Sequence, residues 1–172
     1  DFKSNLLSID LTNDGLEIIG KINSSNQTLN LIWDQDFKKR DNSTLITLSG
    51  SINDKMINNF IGDKLKFSGK IDVEANFLGN SFDLREGDLF LDFRNTKIES
   101  YILDWAKPKF SSMLLKSNIN FLDNKEINFY NFKIEGPLIN VNGNFKFKNN
   151  RITNISLEKF KSYSSKNTIS NN

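Results

Sequence analysis

The chain has 172 residues, 23 Lys and Arg against 21 Asp and Glu, and a formal net charge of +2. That length suits one domain or a segment of a longer protein, and so small a charge offers no nucleic-acid surface. With no cysteine there are no disulfides or thiol chemistry, and with no histidine the usual neutral-pH base and commonest metal ligand are gone. Beginning at Asp1 and ending in polar residues, the chain reads as an excised piece. No run approaches the roughly 20 apolar residues of a membrane-spanning helix.

In chain order, period-two alternation predicts strands at Leu6–Leu11, Leu16–Ile22, Thr28–Trp33 and Thr44–Gly50. The Asn13-Asp14-Gly15 run joins the first two as a hairpin turn. The spacing of Ile52, Met56, Ile57, Phe60 and Ile61 then predicts one short helix near 53–62, started by Ser51 or Asn53 and ended by Gly62. Strands resume over 64–77, followed by a turn at Gly79-Asn80, a strand over 81–85, a turn at Glu86-Gly87-Asp88 and a strand through Phe93. Thr96–Ile102 adds a candidate, and Trp105-Ala106-Lys107-Pro108-Lys109 is expected to be irregular, because proline lacks a ladder donor. Met113–Phe121, Glu126–Glu135, Leu138–Phe147 and Arg151–Phe160 complete the set. Within Glu126–Glu135 the apolar positions change parity between Phe129 and Tyr130, as a bulge would cause. The expected fold class is mainly β: a curved, mostly antiparallel sheet of about ten strands, with residues 1–163 as one unit. Residues 164–172 read as a polar tail or the start of a next repeat.

One phrase recurs. Leu16–Ile22, Ile46–Ile52, Leu65–Val73 and Ile139–Phe147 each alternate apolar and polar residues around a glycine, at 20, 50, 69 and 143. Alternation puts Leu65, Phe67, Gly69, Ile71 and Val73 on one face of a sheet and their polar neighbours on the other. A glycine on the apolar face is expected to leave a dent for a side chain or a ligand.

The chemical inventory points away from catalysis. Asp34 with Asp36, and Asp83, Glu86 and Asp88 around the expected turn, are carboxylate pairs of the kind glycoside hydrolysis uses, yet they sit where solvated turn residues belong. The Asp83–Asp88 spacing matches no calcium loop. Phe37-Lys38-Lys39-Arg40 is a brief basic run with a solvated-loop reading. No catalytic residue, metal ligand or cofactor is expected, which leaves the apolar face as the working surface. Its expected lining includes Leu16, Ile18, Ile22, Leu31, Trp33, Leu48, Phe67, Ile71, Val73, Leu91, Phe93, Ile119, Phe121, Val141, Phe145 and Phe147. Periodicity buries these residues equally well in a closed β-sandwich, serving adhesion or carbohydrate binding, and in an open curved sheet holding acyl chains.

The order of short motifs bears on that choice. Leu31-Ile32-Trp33-Asp34 with Asp36-Phe37, Leu48-Ser49-Gly50-Ser51-Ile52, the helix around 56–62, Phe67-Ser68-Gly69 and Trp105-Ala106-Lys107 follow one another. Ile134-Glu135-Gly136-Pro137-Leu138 with Val141-Asn142-Gly143 closes the series. In this order the chain resembles a segment of the AsmA-like superfamily, in the YhdP/TamB group of large bacterial envelope proteins. The family's glycine soon after the Trp-x-Lys step is replaced here by Lys109-Phe110-Ser111. The resemblance implies a repeating β-groove, polar outside and apolar inside, in the periplasmic part of an inner-membrane-anchored protein. It further implies a non-enzymatic role, shielding phospholipid acyl chains on their way between inner and outer membrane. The segment would be monomeric within a longer chain and would meet membranes through regions outside it. The four inward glycines would let the sheet bend and leave room on its concave side.

Overall fold

The computed structural model describes residues 3–24, 27–61, 65–100, 105–122, 125–137, 139–149, 151–163 and 168–171. It contains β1 (Lys3–Leu11), β2 (Gly15–Ser24), β3 (Gln27–Asp36), β4 (Thr44–Asn53), α1 (Asp54–Ile61), β5 (Leu65–Asn80) and β6 (Asp83–Asp92). After these come β7 (Thr96–Ser100), β8 (Trp105–Lys107), β9 (Leu114–Leu122), β10 (Glu126–Gly136), β11 (Ile139–Lys148), β12 (Arg151–Tyr163) and β13 (Thr168–Asn171). The thirteen strands form one antiparallel sheet in the order β1-β2-β3-β4-β5-β6-β9-β10-β11-β12-β13, with β7 paired to β5 and β8 to β7. The sheet is open: β1 and β13 stand at opposite edges, and it does not close into a barrel. A second sheet facing the first, as a sandwich needs, is not formed among the described residues.

Register places the apolar residues on one face. Ile18 lies opposite Trp33, and Trp33 opposite Ile46. Ile46 faces Phe77, and Leu48 faces Ala75, which faces Leu89. Further along, Ile119 pairs with Phe129, and Phe129 with Phe145. The bulge expected in β10 is present, as the register steps between Phe129 and Phe132 and Asn131 takes a φ of 50°. Because side chains alternate strictly, that extra residue is what returns Phe132 and Ile134 to the apolar face.

β5 is longer than its partners, and its first five residues make a corner. Beyond the Asn53–Lys70 pair, Leu65–Gly69 pairs with β7 on one side and meets α1 on the other. There the Asn58 amide donates to the Phe67 carbonyl and accepts from the Phe67 N–H, both at 2.9 Å, while the Gly69 N–H reaches Asp54 Oδ2 at 3.1 Å. A helix thus satisfies a strand edge that no strand covers. The bend at 93–96 is fixed by the Phe93 N–H to Met113 O and the Thr96 N–H to Phe93 O, each 2.9 Å, and the Thr96 hydroxyl to Lys70 O at 2.6 Å. Phe67, Ile71, Phe93, Ile98, Trp105, Met113, Ile139 and Val141 close into one buried cluster there, with Ile71 at 0% and Ile98 at 1% exposure.

Several expectations change. Trp105–Lys107 is the strand β8 rather than irregular: Pro108 follows it, and the extended conformation that proline imposes on Lys107 suits a strand. Glu86-Gly87-Asp88 is no turn but the middle of β6, where Gly87 pairs with Phe77 and Ile119. The turn expected at Gly79-Asn80 falls at Ser81-Phe82, because β5 runs on to Asn80. Gly62, Ile102 and Leu138 lie outside the described residues. Gly50, Gly69 and Gly143 leave no dent. A Cβ on Gly50 (φ 148°) would meet the Thr28 carbonyl at 2.8 Å, on Gly69 (φ 128°) the Asn95 carbonyl, and on Gly143 the Ser156 carbonyl. Neighbouring backbone fills the space, so these glycines permit close strand approach at bends and bulges. Where the resembled family carries a glycine, Phe110 adopts a φ of 67° and donates its N–H to Arg94 O at 2.7 Å.

Candidate functional site

The sixteen residues singled out from the sequence all come from strands, or from the turn after β6, whose register sets one apolar face, but they fall into two groups. Phe67, Ile71, Phe93 and Val141 belong to the buried corner, with Val73 and Leu91 packed against it. Leu16, Ile18, Ile22, Leu31, Trp33, Leu48, Phe121, Phe145 and Phe147 are only half covered, although each stands among apolar neighbours. Ile119, between Gly87 and Phe129, is buried. The corner therefore walls off the end of the face where β6 leads into β7, and a strip nearer the hairpin ends of β3, β5 and β9 stays open.

Along the strip lie Phe77 against Phe121 at 5.7 Å, and Phe129 stacked on Phe145 at 4.3 Å with Phe132 edge-on to Phe145 at 5.2 Å. At the rim Phe82 sits edge-on to Trp33 at 5.0 Å. The indole N–H of Trp33 and the hydroxyl of Thr44 are buried without a hydrogen-bond partner. At the two ends the strip is barely covered. Leu7, Ile9 and Leu11 on β1 are 47–67% exposed, and Ile152, Ile155 and Leu157 on β12 are 51–59% exposed. The sequence signalled the β1 stripe by plain alternation, whereas the β12 stripe is obscured by its two register shifts. Ten strands from β1 to β12, spaced ~4.8 Å, give an apolar span of about 45 Å.

The opposite face is mostly polar and cross-braced, although Ile19, Ile32 and Leu45 stand on it at 39–45% exposure. Thr47 donates to Asn76 Oδ1 at 2.9 Å, Asn118 to Asp88 Oδ1 at 2.6 Å, and Asn131 to Asn118 Oδ1 at 3.0 Å. The Asn131 N–H reaches Asn144 Oδ1 at 3.0 Å, and Asn144 donates to Glu158 at 3.4 Å. Two shallow depressions of about 320 and 250 Å³, lined by Asn76, Asp88 and Asn118 among others, open on this polar face rather than the apolar one.

The carboxylates noted in the sequence do not converge. Asp83, Glu86 and Asp88 are strung along β6 instead of surrounding a turn, Asp83 lies 3.7 Å from Arg85, and Asp36 lies 3.8 Å from Lys39. No three metal-capable side chains come together among the described residues. Of the basic run, Lys38 bridges to Asp14 at 2.8 Å across the hairpin rim.

The sequence did not point to Lys107, which is 2% exposed inside the corner. Its ammonium donates to Thr96 O at 2.7 Å and Pro108 O at 3.0 Å. Burial pushes its pKa below the ordinary lysine value, partly opposed by the negative charge of Asp92. This lysine ties β8 to the bend and is held away from the open strip. No family model, curated protein or solved structure matches the chain.

Proposed function

We propose that the chain is a non-enzymatic β-groove segment of an AsmA-like lipid-transport protein, acting in the periplasm. In this reading its apolar strip shields phospholipid acyl chains between the inner and outer membranes. The observation that carries the reading is the half-covered apolar face of an open sheet, running unbroken from Leu7, Ile9 and Leu11 to Ile152, Ile155 and Leu157. Soluble monomers seldom expose a continuous apolar surface of this extent, and one that persists marks a binding face. The order of motifs in the sequence adds the family.

Energetics favour a flexible aliphatic guest. Each buried CH₂ contributes about 0.8 kcal/mol, so one acyl chain gains several kcal/mol along the strip. The strip offers few polar groups, so a chain that slides exchanges one apolar contact for an equivalent one. Headgroups would remain at the hairpin rim, where Lys38, Lys39, Asp14 and Asp36 stand in water.

Solvent extraction of the purified chain followed by mass spectrometry tests this directly. Co-purifying phospholipid is expected, with photocrosslinks from Leu31 and Phe129 and none from the polar-face Thr47. A lipid-free chain that also fails to take up phospholipid from vesicles would overturn the reading.

A further inference from the structure

Two polar groups stand on the apolar face with nothing to bond. Among the described residues, the indole N–H of Trp33 on β3 and the hydroxyl of Thr44 on β4 are buried without a hydrogen-bond partner. Register makes them neighbours. Trp33 lies opposite Ile46 and Gln35 opposite Thr44, so Trp33 and Thr44 are diagonal on one face, about 7 Å apart at their backbones. A buried donor left unbonded is unfavourable, and an indole N–H can only donate. The pair therefore calls for an acceptor.

Trp105 also has an unbonded indole N–H, but inside the closed corner, where the gap beside it has no room for a water molecule. Trp33 differs in its surroundings. It is half covered, and Leu31, Ile46 and Leu48 carry the apolar strip up to it. Phe82, edge-on to the indole at 5.0 Å, is 82% exposed, so its ring can swing aside while giving up little buried area. Gln35 donates to Ser81 Oγ at 3.2 Å, which ties the β5–β6 turn to the same rim.

These surroundings select the acceptor. A phosphate or a free carboxylate is held best by a cation. The lysines of the adjoining β3–β4 loop, Lys38 and Lys39, are instead engaged by Asp14 at 2.8 Å and Asp36 at 3.8 Å. An uncharged acceptor joined to an aliphatic chain fits better, and the ester carbonyl at the head of an acyl chain is such a group. We propose that Trp33 and Thr44 bind the ester carbonyl of an acyl lipid, with Phe82 swinging aside to admit it. The carbonyl oxygen has two lone pairs, one for each donor. This rests on the acyl-chain reading and adds to it a fixed point on a strip that otherwise holds a chain anywhere along its length.

The test uses the ¹⁵N-labelled 172-residue chain and two kinds of vesicle, dioleoylphosphatidylglycerol and its diether analogue, which lacks the ester carbonyls. After flotation removes the vesicles, bound lipid is measured by extraction and mass spectrometry, and the indole N–H signals by NMR. The chain has two tryptophans, so Trp33→Phe assigns both signals and Trp105 serves as the internal reference. Both lipids should load, with the Trp33 proton further downfield for the diester than for the diether and the Trp105 proton unmoved. The diester should bind about threefold to tenfold more tightly, a preference that Trp33→Phe abolishes while keeping the parent's circular dichroism. A Trp33 signal at the same position with both bound lipids, or a diester preference that survives Trp33→Phe, would overturn the carbonyl site and leave the acyl-chain reading standing. If neither lipid loads, both fall together.

Discussion

The corner and the open strip are made of the same residue types in the same alternation, yet one is a core and the other a surface. Ile71 and Leu31 each sit at an inward position of a middle strand, but Ile71 is fully buried and Leu31 half covered. The difference lies in what crosses over them. At the corner β5 outruns β4, bends with β7 and β8, and lays Phe67, Ile98 and Trp105 against β11. Among the described residues nothing folds back over Leu31. Apolar alternation therefore makes a face, and only a bend makes a core.

The largest effect expected from this contrast is on stability. Ile71→Asp places a charge where no partner or water reaches, and should cost about 4 kcal/mol or more, visible as unfolding at low urea. Leu31→Asp, at the half-covered site, should cost only about 1 kcal/mol while lowering the amount of co-purified lipid. Equal destabilisation of the two would erase the distinction between corner and strip.

Next comes Gly69→Val, which puts a β-branched residue at a φ of 128° with its Cβ against the Asn95 carbonyl. A loss of about 2–4 kcal/mol is expected in chemical denaturation, since the strain cannot be relieved without opening the bend.

A smaller effect should appear in the pH dependence of stability. Burial lowers the folded-state pKa of Lys107, so near neutral pH the corner holds a charge that is better solvated in the unfolded chain. Between that lowered value and the ordinary lysine pKa of about 10.4, the unfolded chain binds a proton that the folded chain has released. Stability should therefore rise across that alkaline window and level off above it. Lys107→Met should flatten the rise, measured as the difference between the two unfolding profiles. An identical slope in both proteins would mean that the ammonium is hydrated after all.

The smallest change expected is a gain. Phe110 is 74% exposed and adopts a left-handed backbone, so its ring contributes little burial while its Cβ adds strain. Phe110→Gly should raise the thermal midpoint, by an amount matching about 0.5–1 kcal/mol. A fall instead would show that the ring, with Lys109 Nζ 5.2 Å above it, stabilises the corner.

Much of this was legible in the sequence, and the remainder was hidden for physical reasons. Alternation is a local property, so Leu29, Leu31 and Trp33 announce their strand without further help. The parity change after Phe129 likewise announces its bulge, and the helical spacing after Ile52 announces α1. Whether a given inward residue is sealed depends instead on distant chain. Phe67 and Val141 look no different from Phe145 until the hydrogen bonds of Thr96 and Lys107 fold the corner over them. Lys107 itself reads as an ordinary surface lysine beside a proline. Gly87 reads as a turn residue because a glycine between two acids usually is one. Here it lets β5 approach β6, a requirement visible only once the neighbouring strand is in place.

The order of the strands carries a consequence for how the molecule forms. Apart from the step from β6 to β9, each strand of the main path hydrogen-bonds to its immediate successor in the chain. Such pairings close short loops and need no distant partner, so they can form early and from several starting points. The corner is different, because Phe67, already against Phe93 and paired with Ile98, is sealed only once Ile139 and Val141 join the cluster. Folding would thus lay down the open strip first and raise the wall along its side last.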